Sequence, residues 1–123
     1  MSGDSLGSRL MLASFAVRGA INRKVAKVLI DRLVAVCGVH YVHTPVVYPY
    51  PADGKGGTGF TMLQPITESF LAVDAWPDHG GAYVVVASCQ WFNIEAVEGE
   101  LKALGFAILG RNITGLTLDH AQV

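Results

Sequence analysis

Two spacings of apolar residues divide this chain. Residues 9–17 (RLMLASFAV) form a short, nearly continuous apolar run that predicts a buried strand. Over 20–36 the period lengthens. Ile21, Val25, Val28, Leu29, Leu33 and Val36 make one stripe, while Arg23, Lys24 and Lys27 fall on the other side, which predicts an amphipathic helix. Cys37-Gly38 closes it, because glycine enters the left-handed conformation that ends a helix. Residues 39–50, rich in Val, Tyr and Thr, predict a strand, and the prolines at 45, 49 and 51 suit only an edge or an irregular end. After a flexible loop over 52–59 (ADGKGGTG), three more strands are predicted over 60–66, 70–76 and 82–89, joined by turns at Glu68 and over 77–81. Asn93 N-caps a second helix with apolar positions Ile94, Val97, Leu101 and Leu104, and Gly105 stops it. Residues 106–109 and 113–118 predict one final strand or a bent pair. The order β-α-β-β-β-β-α-β predicts an α+β fold, a two-layer sandwich of an antiparallel sheet with two helices on one face.

The length of 123 residues suits a single domain over residues 1–123. Hydrophobic residues make up 51% and charged ones 15%, which is apolar for this size. No apolar run reaches the roughly 18 residues needed to span a bilayer, so the surplus predicts an oligomer interface rather than a membrane partner. The net charge of −1 gives nucleic acid no electrostatic reason to bind. The run over 10–17 is short for a signal core, follows an acidic Asp4 and lacks a clean cleavage site, which predicts a strand of a cytoplasmic protein. Cys37 and Cys89 sit in no CxxC pattern, which argues against a disulfide framework or a zinc site. His40 and His43, three apart on a predicted strand, point to opposite faces and make a poor metal pair, so no metal is expected. The glycines over 54–59 lack the Gly-Lys-Ser/Thr ending of a phosphate loop and lead into no helix; a flap or linker fits better. Glu95, Glu98 and Glu100 belong to the solvated side of the second helix.

One segment carries more chemistry than the rest. Glu68-Ser69 is followed by a short strand containing Asp74, then Trp76-Pro77-Asp78, a glycine turn, a second strand and Cys89. This run resembles, without a gap, the self-cleavage and active-site segment of the small prokaryotic S-adenosylmethionine decarboxylases. Ser5-Leu6-Gly7 fits the start of that family, and the likeness extends over about residues 5–110. The resemblance implies a proenzyme that cuts itself between Glu68 and Ser69. The Ser69 hydroxyl attacks the Glu68 carbonyl, exchanging amide for ester. Loss of the Ser69 α-proton then expels the Glu68 carboxylate, and hydrolysis leaves ammonia and a pyruvoyl cofactor. A serine hydroxyl is a poor nucleophile at neutral pH, so the reaction requires a strained or polarised peptide, and a tight turn between strands can hold one.

The resemblance further implies that the pyruvoyl ketone forms a Schiff base with the amine of a small-molecule substrate and takes up the electrons left by departing carbon dioxide. Cys89 matches the family's proton donor, although the commoner fate of a cysteine is a small buried core residue. Asp74 stands where the family has a histidine that helps remove the serine α-proton, and an aspartate is ordinarily about 2.6 pKa units less basic. His79, His40 and His43 are candidate substitutes. Asp78 stands for the acid, usually glutamate, that contacts the substrate ribose; a turn residue after proline is an equal reading. Leu71 and Trp76 match positions lining the adenine pocket, and Tyr48 or Tyr50 could supply a stacking ring. Thr61 matches an upstream serine that assists ester formation, with Thr58 the alternative if the loop shifts; a threonine in a strand ordinarily serves β-propensity. The implied activity is a carboxy-lyase, acting as a homodimer as the family does, that makes the aminopropyl donor for spermidine. The alternatives are a relative that decarboxylates arginine or ornithine, and an uncleaved regulatory homologue.

Overall fold

The computed structural model describes residues 7–50 and 58–118. Ser5, Leu6 and most of the glycine-rich loop lie outside the described residues. The elements run β1 (Arg9–Arg18), α1 (Arg23–Cys37), β2 (Val46–Pro49), β3 (Phe60–Ile66), β4 (Ser69–Trp76), a 3-10 turn (Pro77–His79), β5 (Gly81–Ser88), α2 (Ile94–Ala103) and β6 (Ala107–Thr117). The strands form one antiparallel sheet in the order β2-β3-β4-β5-β1-β6. Both helices pack on one face, so the α+β two-layer sandwich is the observed architecture.

Alternation along the strands makes this core. Met11, Ala13, Phe15 and Val17 of β1, Leu71, Val73 and Ala75 of β4, and Ala82, Val84 and Val86 of β5 are buried toward the helices. Leu29, Ile30 and Leu33 of α1 and Val97 and Leu101 of α2 close over them. The opposite face carries Leu12, Ser14, Leu63, Phe70, Ala72 and Val85, all half-buried with no helix above them.

Two predicted boundaries move, and of the two alternatives for the final segment the single strand is observed. The first helix starts at Arg23 rather than at 20, because the Asn22 side chain accepts the Val25 amide at 2.8 Å and fixes the first turn there. The strand predicted over 39–50 shrinks to β2 and an isolated bridge between Tyr41 and Ile66. Pro45 and Pro65 supply no N–H to a ladder there, and the buried Gln64 amide donates instead to the His43 carbonyl at 2.6 Å. The final segment is one strand, bent where Ala16 pairs Gly110 and Val17 pairs Ile108, which leaves Leu109 as the extra residue of a bulge. Among the described residues no helix is long and apolar enough to cross a membrane.

Candidate functional site

The hairpin from β3 to β4 has only Thr67 and Glu68 between the paired residues Ile66 and Ser69. Two-residue hairpins normally place left-handed residues, often Asn-Gly, in the turn to match strand twist. Here neither turn residue has positive φ; the backbone adjustment falls on Ser69, whose φ of 154° is the one positive value among described non-glycine residues. A side chain with a Cβ is disfavoured there, so the peptide at 68/69 carries strain. Ser69→Gly is expected to be more stable than Ser69→Ala by about 1 kcal/mol, since only glycine removes the Cβ that causes it. Urea unfolding of the two variants measures this, and equal midpoints would remove strain from the account.

The next strand polarises the same peptide. Ser69 pairs with Ser88, which brings the Cys89 amide to 2.9 Å from the Glu68 carbonyl oxygen. An N–H donor on that oxygen stabilises negative charge when a nucleophile adds to the carbon. Glu68, Ser69 and Cys89 face a cavity of about 460 Å³ that Arg9, Leu10 and Leu116 also line. Cys89 is half-buried and free, whereas Cys37 is buried in the core, which pushes its thiol up to about 11.

The Glu68 side chain is buried and held by one residue. The His40 amide donates to Oε1 at 3.0 Å, and His40 Nδ1 lies 2.7 Å from Oε2. Burial alone would raise the Glu68 pKa, but the bonds from the His40 ring and backbone hold it below the usual carboxylate range. The ionised carboxylate therefore stabilises the fold at neutral pH and gives this up as pH falls through its lowered pKa. Of the three histidines singled out from the sequence, His40 reaches the turn. His43 bonds locally to the Thr44 carbonyl, and His79 sits 6.3 Å from Trp76, ring to ring. No sequence signal joins His40 to Glu68, 28 residues away.

The other candidates gather at the far end of the strands. Asp74 lies five residues along β4 from Ser69, about 16 Å at the usual rise of a strand. It pairs across with Thr61 on one side and Tyr83 on the other. Asp74, Trp76, His79, Tyr83 and Arg18 line a second cavity of about 620 Å³ on the helix-free side, and Asp74 Oδ1 is buried there without a hydrogen-bond partner. Tyr50, rather than Tyr48, stacks on Trp76, with centroids 5.3 Å apart and planes 23° apart, and its hydroxyl bonds to Thr61 Oγ1. Asp78 accepts from Thr58 Oγ1 at 3.0 Å. Leu71 is fully buried beneath the helices. Among the described residues no group of three or more His, Cys, Asp or Glu side chains could hold a metal ion.

Neither a protein-family model nor a curated protein matches this sequence. Among solved structures the chain is similar to the adenosylmethionine decarboxylase from Aquifex aeolicus VF5, with a TM-score of 0.59 over 89% of this chain and 88% of that one. The two proteins share a fold. Their identity is 15%, so the likeness to the decarboxylase speaks for architecture, and the chemistry must be argued from the residues themselves.

Proposed function

We propose that this chain is a pyruvoyl-dependent decarboxylase proenzyme of the S-adenosylmethionine decarboxylase type, acting in the cytoplasm and cutting itself between Glu68 and Ser69. The observation that carries the reading is the state of that one peptide: strained at Ser69, with the Cys89 amide on its carbonyl oxygen. These are the two conditions under which a serine hydroxyl competes as a nucleophile. The Ser69 hydroxyl adds to the Glu68 carbonyl carbon while Cys89 N–H receives the developing charge. The C–N bond breaks, giving an ester and a free amine at Ser69. A base takes the Ser69 α-proton, the Glu68 carboxylate leaves, and water replaces the nitrogen as ammonia.

Ser69 fits the pyruvoyl group because it opens on a cavity that Cys89 also lines. That group supplies a ketone that takes up a substrate amine and accepts the electrons released with carbon dioxide. Cys89, on the same cavity, is the group that would return a proton to the substrate carbon. Asp78 with Thr58, and Trp76 with Tyr50, form a carboxylate and an aromatic shelf suited to a ribose and an adenine, and Leu71 backs β4 from the core.

A second copy completes this site. Asp74 and Thr61 share a row on the helix-free side, too far from Ser69 of the same chain to act on it. A two-fold axis lying between two such faces, at right angles to the strands, reverses strand direction while keeping lateral position. It therefore sets the Asp74 end of one chain over the Cys89 end of its partner, with sheets about 10 Å apart. The half-buried Leu12, Leu63, Phe70 and Val85 provide the apolar surface of such a homodimer.

The unpartnered oxygen of Asp74 among aromatic walls favours a second reading, a substrate with an extra positive charge such as arginine or ornithine. Intact mass after denaturation tests cleavage: two fragments, 1–68 and a 69–123 fragment blocked to Edman degradation, are expected. Labelled carbon dioxide released from S-adenosylmethionine, set against arginine and ornithine, then distinguishes the substrates. A single uncut chain in every preparation would overturn the enzyme reading in favour of a regulatory homologue.

A further inference from the structure

The bonds around Glu68 do more than satisfy a buried carboxylate. Besides the two contacts from His40 to the side chain, the Thr67 amide donates to the His40 carbonyl at 2.8 Å, and the bridge from Tyr41 to Ile66 ties the same segment to the end of β3. Residue 68 is thus held on three sides. His40 grips its side chain, His40 grips the preceding residue, and Cys89 holds its carbonyl oxygen. With both turn residues fixed in this way, the remaining adjustment to close the hairpin is left to Ser69, the residue whose φ departs from the allowed region. A carboxylate buried without donors is unfavourable, so the His40 ring at Oε2 favours a glutamate at 68 that stays folded inward.

We infer that His40 is a positioning residue for the backbone rearrangement: it locks Glu68 in the turn so that strain is delivered to the peptide that breaks. This rests on the reading of cleavage at 68/69. His40 does not touch the reacting atoms; it acts through Glu68. The contact uses the δ nitrogen, which carries a proton in imidazolium and in one neutral tautomer. An asparagine amide nitrogen occupies nearly the same position as Nδ1, whereas a glutamine amide reaches to the position of Nε2. The His40 ring is 72% exposed, so its replacement opens no void in the core.

The test is the rate at which freshly made chain converts to fragments, followed by mass after denaturation. His40→Ala is expected to slow cleavage by about 10-fold to about 100-fold, the scale of a small misplacement of reacting groups. His40→Asn is expected to restore a rate close to wild type, and His40→Gln to behave as the alanine variant. Melting temperatures of all three in the uncleavable Ser69→Ala background separate positioning from a general loss of stability. Wild-type speed in His40→Ala overturns this proposal and leaves the cleavage reading standing. Equal slowing in all three variants with matching losses of melting temperature overturns it as well. A wild-type chain that never breaks overturns both.

Discussion

Ser69→Ala is expected to leave the protein as one uncut chain under conditions in which wild type gives two fragments. The loss should be complete rather than partial. In the proposed cleavage the hydroxyl is the atom that adds to the Glu68 carbonyl, and methyl in its place provides no nucleophile. Thr67 is on the wrong side of the bond, since its own hydroxyl precedes the carbonyl carbon of Glu68. The Cys89 amide would still polarise the oxygen, but polarisation without an attacking atom breaks nothing. The variant should fold, because Ser69 is half-buried and alanine keeps its backbone conformation and its Cβ. Time courses of intact mass for the two proteins decide the matter; fragments ending at residue 68 in the alanine variant would move the nucleophile elsewhere.

The second large effect is complementation between two inactive chains. Asp74→Ala alone is expected to cleave far more slowly than wild type, and Ser69→Ala not at all. If each site takes Ser69 from one protomer and Asp74 from the other, a mixed dimer holds one complete site. In an equal mixture with random exchange of subunits, about half of the Asp74→Ala chains should then be cut, while every Ser69→Ala chain stays whole. Distinct tags on the two variants let the fragments be assigned. Mixing without effect would place Asp74 in service of its own protomer or outside the reaction. Wild-type speed in Asp74→Ala alone would show that another group takes the proton.

Much of this arrangement was legible from residue spacing, and the failures have physical causes. Strands β1, β3, β4 and β5 were readable because one side of each meets the helices and the other does not, so burial follows a period of two. The segment before β2 was not, because proline and a glutamine side chain replace backbone pairing there, and β-rich composition cannot report that. The nearness of Ser69 and Cys89 was readable too, since a hairpin brings the start of one strand beside the end of the next. The spacing also contained the separation of Ser69 from Asp74: five residues of extended chain put them about 16 Å apart. Leu71, three residues from Asp74, falls on the buried face by strand alternation. His40 was out of reach, as a contact across 28 residues and two unrelated loops leaves no periodic trace.

The position of β1 in the sheet has a consequence for the proposed cleavage. A cut at 68/69 assigns β1, β2 and β3 to one fragment and β4, β5 and β6 to the other, yet β1 lies between β5 and β6. The two pieces are therefore interlaced, each the scaffold of its partner, and neither can leave without tearing a strand from the middle of the sheet. Maturation should cost the protein little while it stays folded. Once unfolded, the cut protein must find its other half again, so its recovery should depend on concentration where that of the precursor does not.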